Sequence, residues 1–161
     1  MKPTILIADD DPAGRKVIES VLINQDYNLE FASNGREVLK KAAELKPDLI
    51  LLDIMMPEMD GMEVCERIRK DRDLAEVPVV MVTALDDRNT RIASLDAGAD
   101  DFITKPIDRA ELRARVRSIT RLNRQLRMAG VYLGMRAISA SNCASLASLA
   151  ARSAQRSSVR W

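Results

Sequence analysis

The chain has 161 residues, 47% hydrophobic but only 3% aromatic, enough for one domain with an aliphatic core plus an appendage. It contains no histidine, which excludes a phosphohistidine carrier, a histidine general base and imidazole-bound metal within this chain. The net charge of +1 hides a split: all 24 acidic residues lie at or before Glu111, so residues 1–111 carry −9 and residues 112–161, whose ten basic residues are all arginine, carry +10.

Cys65 and Cys143 are far apart and form no CxxC pair, which reads as free thiols in a reducing cytoplasm. The apolar run near the N-terminus is too short for a signal peptide. No apolar stretch reaches the ~18 residues that a membrane span requires.

In chain order, Ile5–Ala8 is a short apolar run that ends in Asp9-Asp10-Asp11. Pro12 follows, a residue suited to the first turn of a helix. Val17, Ile18, Val21 and Leu22 then recur at helical spacing. Leu29-Glu30-Phe31-Ala32 alternates like a half-buried strand, and Asn34-Gly35 breaks it. Val38, Leu39, Ala42, Ala43 and Leu45 make a second helical face that stops before Pro47. Leu49–Leu52 is a second fully apolar run, ending at Asp53. Gly61 opens a third helix with Val64, Cys65 and Ile68 on one side. Val77–Thr83 reads as a buried strand. Ile92, Leu95 and Ala99 mark a fourth helix closed by Gly98. Phe102-Ile103-Thr104 is the last strand, followed by Lys105-Pro106. A long helix starts near Asp108, a good N-cap.

Five βα repeats with continuous apolar strands imply a parallel sheet covered on both faces. The fold expected is therefore α/β, a doubly wound five-stranded sheet of flavodoxin-like order 2-1-3-4-5, with an extended C-terminal helix.

Ligands of such sheets bind beyond the carboxyl ends of the strands. There the sequence puts Asp9 and Asp10, Asp53, Thr83, and Thr104-Lys105. Three carboxylates in one crevice repel each other, and a hard divalent cation such as Mg²⁺ relieves that repulsion. Lys105 can neutralise a phosphoryl oxygen, Thr83 supplies a hydroxyl, and a carboxylate can itself become an aspartyl-phosphate. Taken singly, each has an ordinary reading: Asp53 and Asp9–Asp11 as helix caps or solvated charge, Thr83 as a strand end, Lys105-Pro106 as a turn. Their conjunction at successive strand ends points to a phosphoryl site.

The segments "ILIADDDPAGR", "PDLILLDIMMPEMDG", "PVVMVTAL" and "AGADDFITKPI" come in order and span about residues 3–120. The chain resembles the receiver domain of bacterial two-component response regulators. The resemblance implies Asp53 as phosphoacceptor, and Asp9 and Asp10 as the acidic pair holding Mg²⁺ with Asp53 and the backbone carbonyl of Met55. It implies Thr83 as the switch hydroxyl, Lys105 as the phosphate-contacting lysine, and a cis bond before Pro106. Phe102 stands at the switch aromatic; read by itself, it is an ordinary core ring. Met55 and Leu85 stand where the family tunes the lifetime of the aspartyl-phosphate. The implied partner is a sensor histidine kinase or a phosphotransfer protein, and the implied readout is the α4-β5-α5 surface. Such a protein is a switch and not a turnover enzyme. A dehalogenase-like phosphatase also uses an aspartyl-phosphate, but it wants a second acid two residues after the nucleophile, where this chain has Met55.

The expected organisation is a receiver over 1–120, a continuation of the last helix over 121–127, and an Ala/Ser/Arg-rich tail over 128–161. Leu112, Val116, Ile119, Leu122 and Leu126 form a stripe that invites a homodimer seam or packing on the chain's own sheet. Seven arginines from Arg109 to Arg127 keep a DNA-binding regulator in view as an alternative, although a solvated helix face explains them too. The tail lacks any recognisable output motif. It reads as disordered, as a helix docked around Val131, Met135 and Ile138, or as non-native.

Overall fold

The computed structural model describes residues 1–84 and 88–128. Five strands and five helices alternate: β1 (Thr4–Ala8), α1 (Pro12–Leu22), β2 (Asn28–Ala32), α2 (Gly35–Leu45), β3 (Leu49–Asp53), α3 (Gly61–Lys70), β4 (Val79–Thr83), α4 (Arg88–Asp96), β5 (Asp101–Thr104) and α5 (Arg109–Met128). All pairings are parallel, in the order β2-β1-β3-β4-β5. This is the flavodoxin-like arrangement read from the sequence.

Alternation along each strand divides the core in two. Leu6, Ile50, Leu52, Val79 and Met81 face one way, onto Val38 and Ala42 of α2 and Val64, Cys65 and Ile68 of α3. Ile5, Ile7, Leu49, Leu51, Val80, Val82 and Ile103 face the other way, onto Ile18, Val21 and Leu22 of α1 and Leu112 and Val116 of α5. β1, β3 and β4 are covered on both sides, which is why they read as unbroken apolar runs.

Helix starts follow side-chain caps. Asp11 accepts from the Ala13 N–H with Pro12 in the first turn, Asn34 from the Glu37 N–H, and Asp60 from the Glu63 N–H. Asp108 accepts from the Glu111 N–H at the start of α5. Glu37 reaches back to the Ser33 N–H and hydroxyl, and with Lys41 beside it its carboxyl pKa is lowered to about 2.

The structure refines the sequence reading at four places. Ile92 and Leu95 are 46% and 51% exposed; α4 rests on the sheet through Ser94, with Ala97 and Ala99 buried just beyond its end. Their apolar spacing therefore marks the outer face of that helix. In α5 the buried face passes through Thr120 and Asn123, whereas Leu122 is exposed. Asn123 lies two turns from Val116, while Leu122 is rotated about 100° away from it. β4 starts at Val79 and not at Val77: Pro78 lacks an N–H for the ladder, and Arg69 takes the Val77 carbonyl at 2.8 Å. Val17 and Leu45, read as members of apolar helix faces, are exposed at the flanks of their stripes.

The amino edge of the sheet is held by polar side chains. Arg69, at the end of α3, donates from Nε to the Gly98 carbonyl at 2.7 Å and from Nη1 to the carbonyls of Ala75 and Val77. Its Nη2 pairs with Asp100 at 2.8 Å, and Asp100 also accepts from the Val79 N–H. Gly98, at φ 97°, packs directly on the Arg69 stem, where any β-carbon would collide. Nearby, Asp48 accepts from the Thr4 N–H, and Asn123 donates to the Asp48 carbonyl at 2.9 Å.

Candidate functional site

The carboxyl edge gathers the residues that the sequence singled out. β1 delivers Asp9 and Asp10 just beyond Ala8, and β3 ends on Asp53. These two strands are neighbours, with Ala8 beside Leu52, so the carboxylates converge. Oxygens of Asp9, Asp10 and Asp53 lie within 4.8 Å of one another. Asp9 is 1% and Asp53 5% exposed, while Asp10 faces solvent.

Lys105 arrives from the end of β5. Its backbone N–H donates to the Thr83 carbonyl at 2.7 Å, which ties it to the end of β4. Its ammonium lies 2.9 Å from Asp9 Oδ2 and 3.1 Å from Asp53 Oδ2, so it bridges the two buried carboxylates. Asp53 Oδ1 accepts from the Met55 N–H at 3.3 Å. Thr83 is buried and closes the β4–β5 ladder opposite Thr104. The Lys105-Pro106 bond is cis.

The electrostatics follow from burial. Loss of water raises the Asp53 pKa; the Lys105 ammonium works against this and Asp9 works with it. Burial also disfavours the Lys105 charge, but its bonds to Asp9 and Asp53 outweigh that and raise its pKa. The ammonium thus serves as the counter-charge of the pocket.

Three convergent carboxylates, two of them buried, are the hard oxygen set that suits Mg²⁺. The donor chemistry is consistent with the metal site of receiver domains.

The remaining expected residues lie around this centre. Met55 itself is 61% exposed beside Asp53. Phe102 is half-buried against the α2/α3 side of the core, with the Arg91 guanidinium 4.8 Å from its ring centroid. Leu85 and residues 129–161 lie outside the described residues, as does the helix read around Val131, Met135 and Ile138.

Sequence reasoning missed two contacts of Asp9. Arg15 Nη1 donates to the Asp9 carbonyl at 2.6 Å. Gly14, in the first turn of α1, faces the Asp9 carboxylate, and a β-carbon there would stand 2.3 Å from Oδ2. The available signal was a glycine inside a helical pattern, which usually has a packing reason. Gly61 was read only as a helix opener, yet its β-carbon would fall 2.2 Å from the Asp53 carbonyl oxygen.

Among the described residues, no helix is long and apolar enough to cross a membrane. The model of the response regulator receiver domain matches residues 5–117. The response regulator PleD of Caulobacter vibrioides is 47% identical over 121 residues, 75% of this chain and 27% of that protein. The DNA-binding dual master transcriptional regulator RpaA of Synechocystis is 44% identical over 119 residues, 74% of this chain and 49% of that protein. The chain thus spans from about a quarter to about half of the length of these relatives. A CheY-like receiver domain structure from Methanospirillum hungatei superposes with a TM-score of 0.71 at 30% identity, covering 78% of this chain and 98% of that one. The chain belongs to the response regulator receiver domain family of two-component systems, a signalling module and not a catalytic enzyme.

Proposed function

We propose that this chain is a phosphorylation-dependent switch in which Asp53 accepts a phosphoryl group from the phosphohistidine of a sensor kinase or phosphotransfer protein. The observation that carries the reading is the near-buried Asp53, flanked by Asp9 and Asp10 and gripped by Lys105. In the transfer, an Asp53 oxygen forms a P–O bond as the donor's P–N bond breaks. The departing electron pair stays on the donor imidazole, which takes a proton from solvent. Asp9, Asp10, Asp53 and the Met55 carbonyl would hold Mg²⁺, which offsets the charge of the carboxylates and the phosphoryl oxygens when bound. Lys105 follows the phosphoryl group electrostatically, and Thr83 donates its hydroxyl to it.

Phosphorylation adds a compact charge with strong acceptors beside two loops. Lys105 and Thr83 stand at the ends of β5 and β4, so a response to that charge moves the segments that follow each strand. Phe102 and α4, coupled through Arg91, are the elements placed to carry it to the α4-β5-α5 surface. A site of action in the cytoplasm fits a phosphoryl donor of this kind. The receiver occupies 1–120, and the exposed Leu122 on α5 is available to a second copy of the chain.

Incubation with acetyl phosphate and Mg²⁺ tests the reading by intact mass. The wild type is expected to gain one phosphoryl group, and Asp53→Asn none. Stoichiometric labelling of Asp53→Asn would sink the assignment.

A second reading is a DNA-binding regulator. Arg109, Arg113, Arg117 and Arg121 are exposed on α5, and RpaA is named a DNA-binding regulator. This reading predicts a gel-shift affinity that falls steeply between two salt concentrations. Absence of a shift at low salt removes it.

A further inference from the structure

We infer that Gly61 is a positioning residue for the metal-binding end of β3: with no side chain, it lets the first turn of α3 rest on the Asp53 backbone, and that contact closes the 54–60 loop that holds Met55 beside the Asp53 carboxylate. The inference rests on the proposed metal-dependent reading of this pocket and concerns how the chain fixes two of the ligand groups.

The backbone angles of Gly61 do not call for glycine: among the described glycines, the one with positive φ is Gly98. As a helix former, glycine is also inferior to alanine. The reason is space. An ideal β-carbon on residue 61 would lie 2.2 Å from the Asp53 carbonyl oxygen, and 2.9 Å from both the Asp53 carbonyl carbon and Ile54 Cα. All three are backbone atoms, so no change of rotamer relieves the collision. With any side chain at 61, the first turn of α3 and the end of β3 must part.

The contact closes a loop. The Ile54 carbonyl accepts from the Gly61 N–H at 2.9 Å and from the Met56 N–H at 3.1 Å. The Ile54 N–H donates to the Val82 carbonyl at 3.3 Å, so the loop's first residue is also tied to β4. In between, the chain turns back at Glu58, φ 66°, where the Met59 N–H donates to the Pro57 carbonyl at 2.7 Å. Ile54, Met56 and Met59 are buried, which leaves the exposed Met55 between two anchored neighbours. The Met55 N–H donates to Asp53 Oδ1 at 3.3 Å. Parting Gly61 from Asp53 breaks the bond to the Ile54 carbonyl and opens this frame. Met55 then loses its fixed place, and the Asp53 carboxylate loses its local donor. Gly61 offers no ligand atom of its own and acts only through the backbone of Asp53 and Ile54.

The test is Mg²⁺ binding to the full chain by calorimetry, with the Met55 amide signal followed by NMR before metal is added. Gly61→Ala is expected to weaken Mg²⁺ binding about tenfold, as loss of an outer support of a metal site does, and to shift the Met55 amide in the metal-free protein. Gly98→Ala is the control for lost stability, since its β-carbon collides with Arg69 at the opposite edge of the sheet. It should leave both readouts unchanged. Unchanged Mg²⁺ binding in Gly61→Ala overturns the inference, as does an equal loss in Gly98→Ala. A milder pair at the start of α3 decides the matter where Gly61→Ala does not fold. Asp60 caps α3 by accepting from the Glu63 N–H at 2.8 Å. Asp60→Ser keeps a cap and Asp60→Ala removes it, while both remove the charge. Asp60→Ala is expected to bind Mg²⁺ about threefold more weakly than Asp60→Ser. Equal affinities in that pair overturn the inference. Failure of the wild type to bind Mg²⁺ overturns the metal-dependent reading as well; binding by the wild type with no effect at Gly61 overturns only this inference.

Discussion

The two edges of the sheet treat charge in opposite ways. At the amino edge, Arg69 and Asp100 are paired with each other and also serve backbone groups of two connecting segments, α3–β4 and α4–β5, and of the first residue of β4. At the carboxyl edge, Asp9, Asp10 and Asp53 crowd together with Lys105 bridging the two that are buried. The first arrangement answers each charge with fitted partners, so it holds the fold. The second leaves negative charge that one ammonium shares out, which is in keeping with the proposed binding of a cation and a phosphoryl group. The stabilising contacts and the proposed site occupy opposite ends of the same strands.

The comparison breaks most visibly at Arg69. Arg69→Met removes the ion pair with Asp100 and strands the carbonyls of Ala75, Val77 and Gly98, and is expected to cost about 3 kcal/mol, read as a lower urea midpoint with the slope unchanged. A loss below about 0.5 kcal/mol would show that the amino edge is no stronger than ordinary surface.

The carboxyl edge should answer with the opposite sign. Burial raises the Asp53 pKa, so the native state holds its proton more tightly than the unfolded chain does. The contribution of Asp53 to stability is then present below its unfolded value and is lost as pH rises through the raised one. In metal-free buffer at neutral pH, Asp53→Asn is expected to raise the melting temperature by a few degrees, and the gain should shrink as pH falls. A lower melting temperature for Asp53→Asn would mean that its bond with Lys105 outweighs its burial.

The smallest effect belongs to α4. Leu95 lies on the outer face of its helix, so Leu95→Gln should change stability by less than about 0.5 kcal/mol. A cost of about 2 kcal/mol or more, in a chemical denaturation series, would put Leu95 in the core after all.

Much of this was legible before any coordinates. Leu49–Leu52 and Ile5–Ala8 read as doubly covered strands because every residue in them is apolar, and the structure buries all of them. Asp9, Asp53 and Lys105 could be placed together because parallel topology brings strand ends to one edge. Periodicity failed where a helix rests on its sheet by small or polar residues. In α4 the contact runs through Ser94, and in α5 through Thr120 and Asn123, none of which carries an apolar signal.

The sequence by itself determined the layered α/β fold and the edge on which the acids meet, because strand burial and right-handed crossovers leave little choice. Only the tertiary structure decided that Lys105 bridges Asp9 and Asp53, that Arg69 ties the α3–β4 and α4–β5 connections together, and that Gly14 faces a carboxylate. These depend on where side chains from distant parts of the chain end in space, and no local pattern encodes such distances.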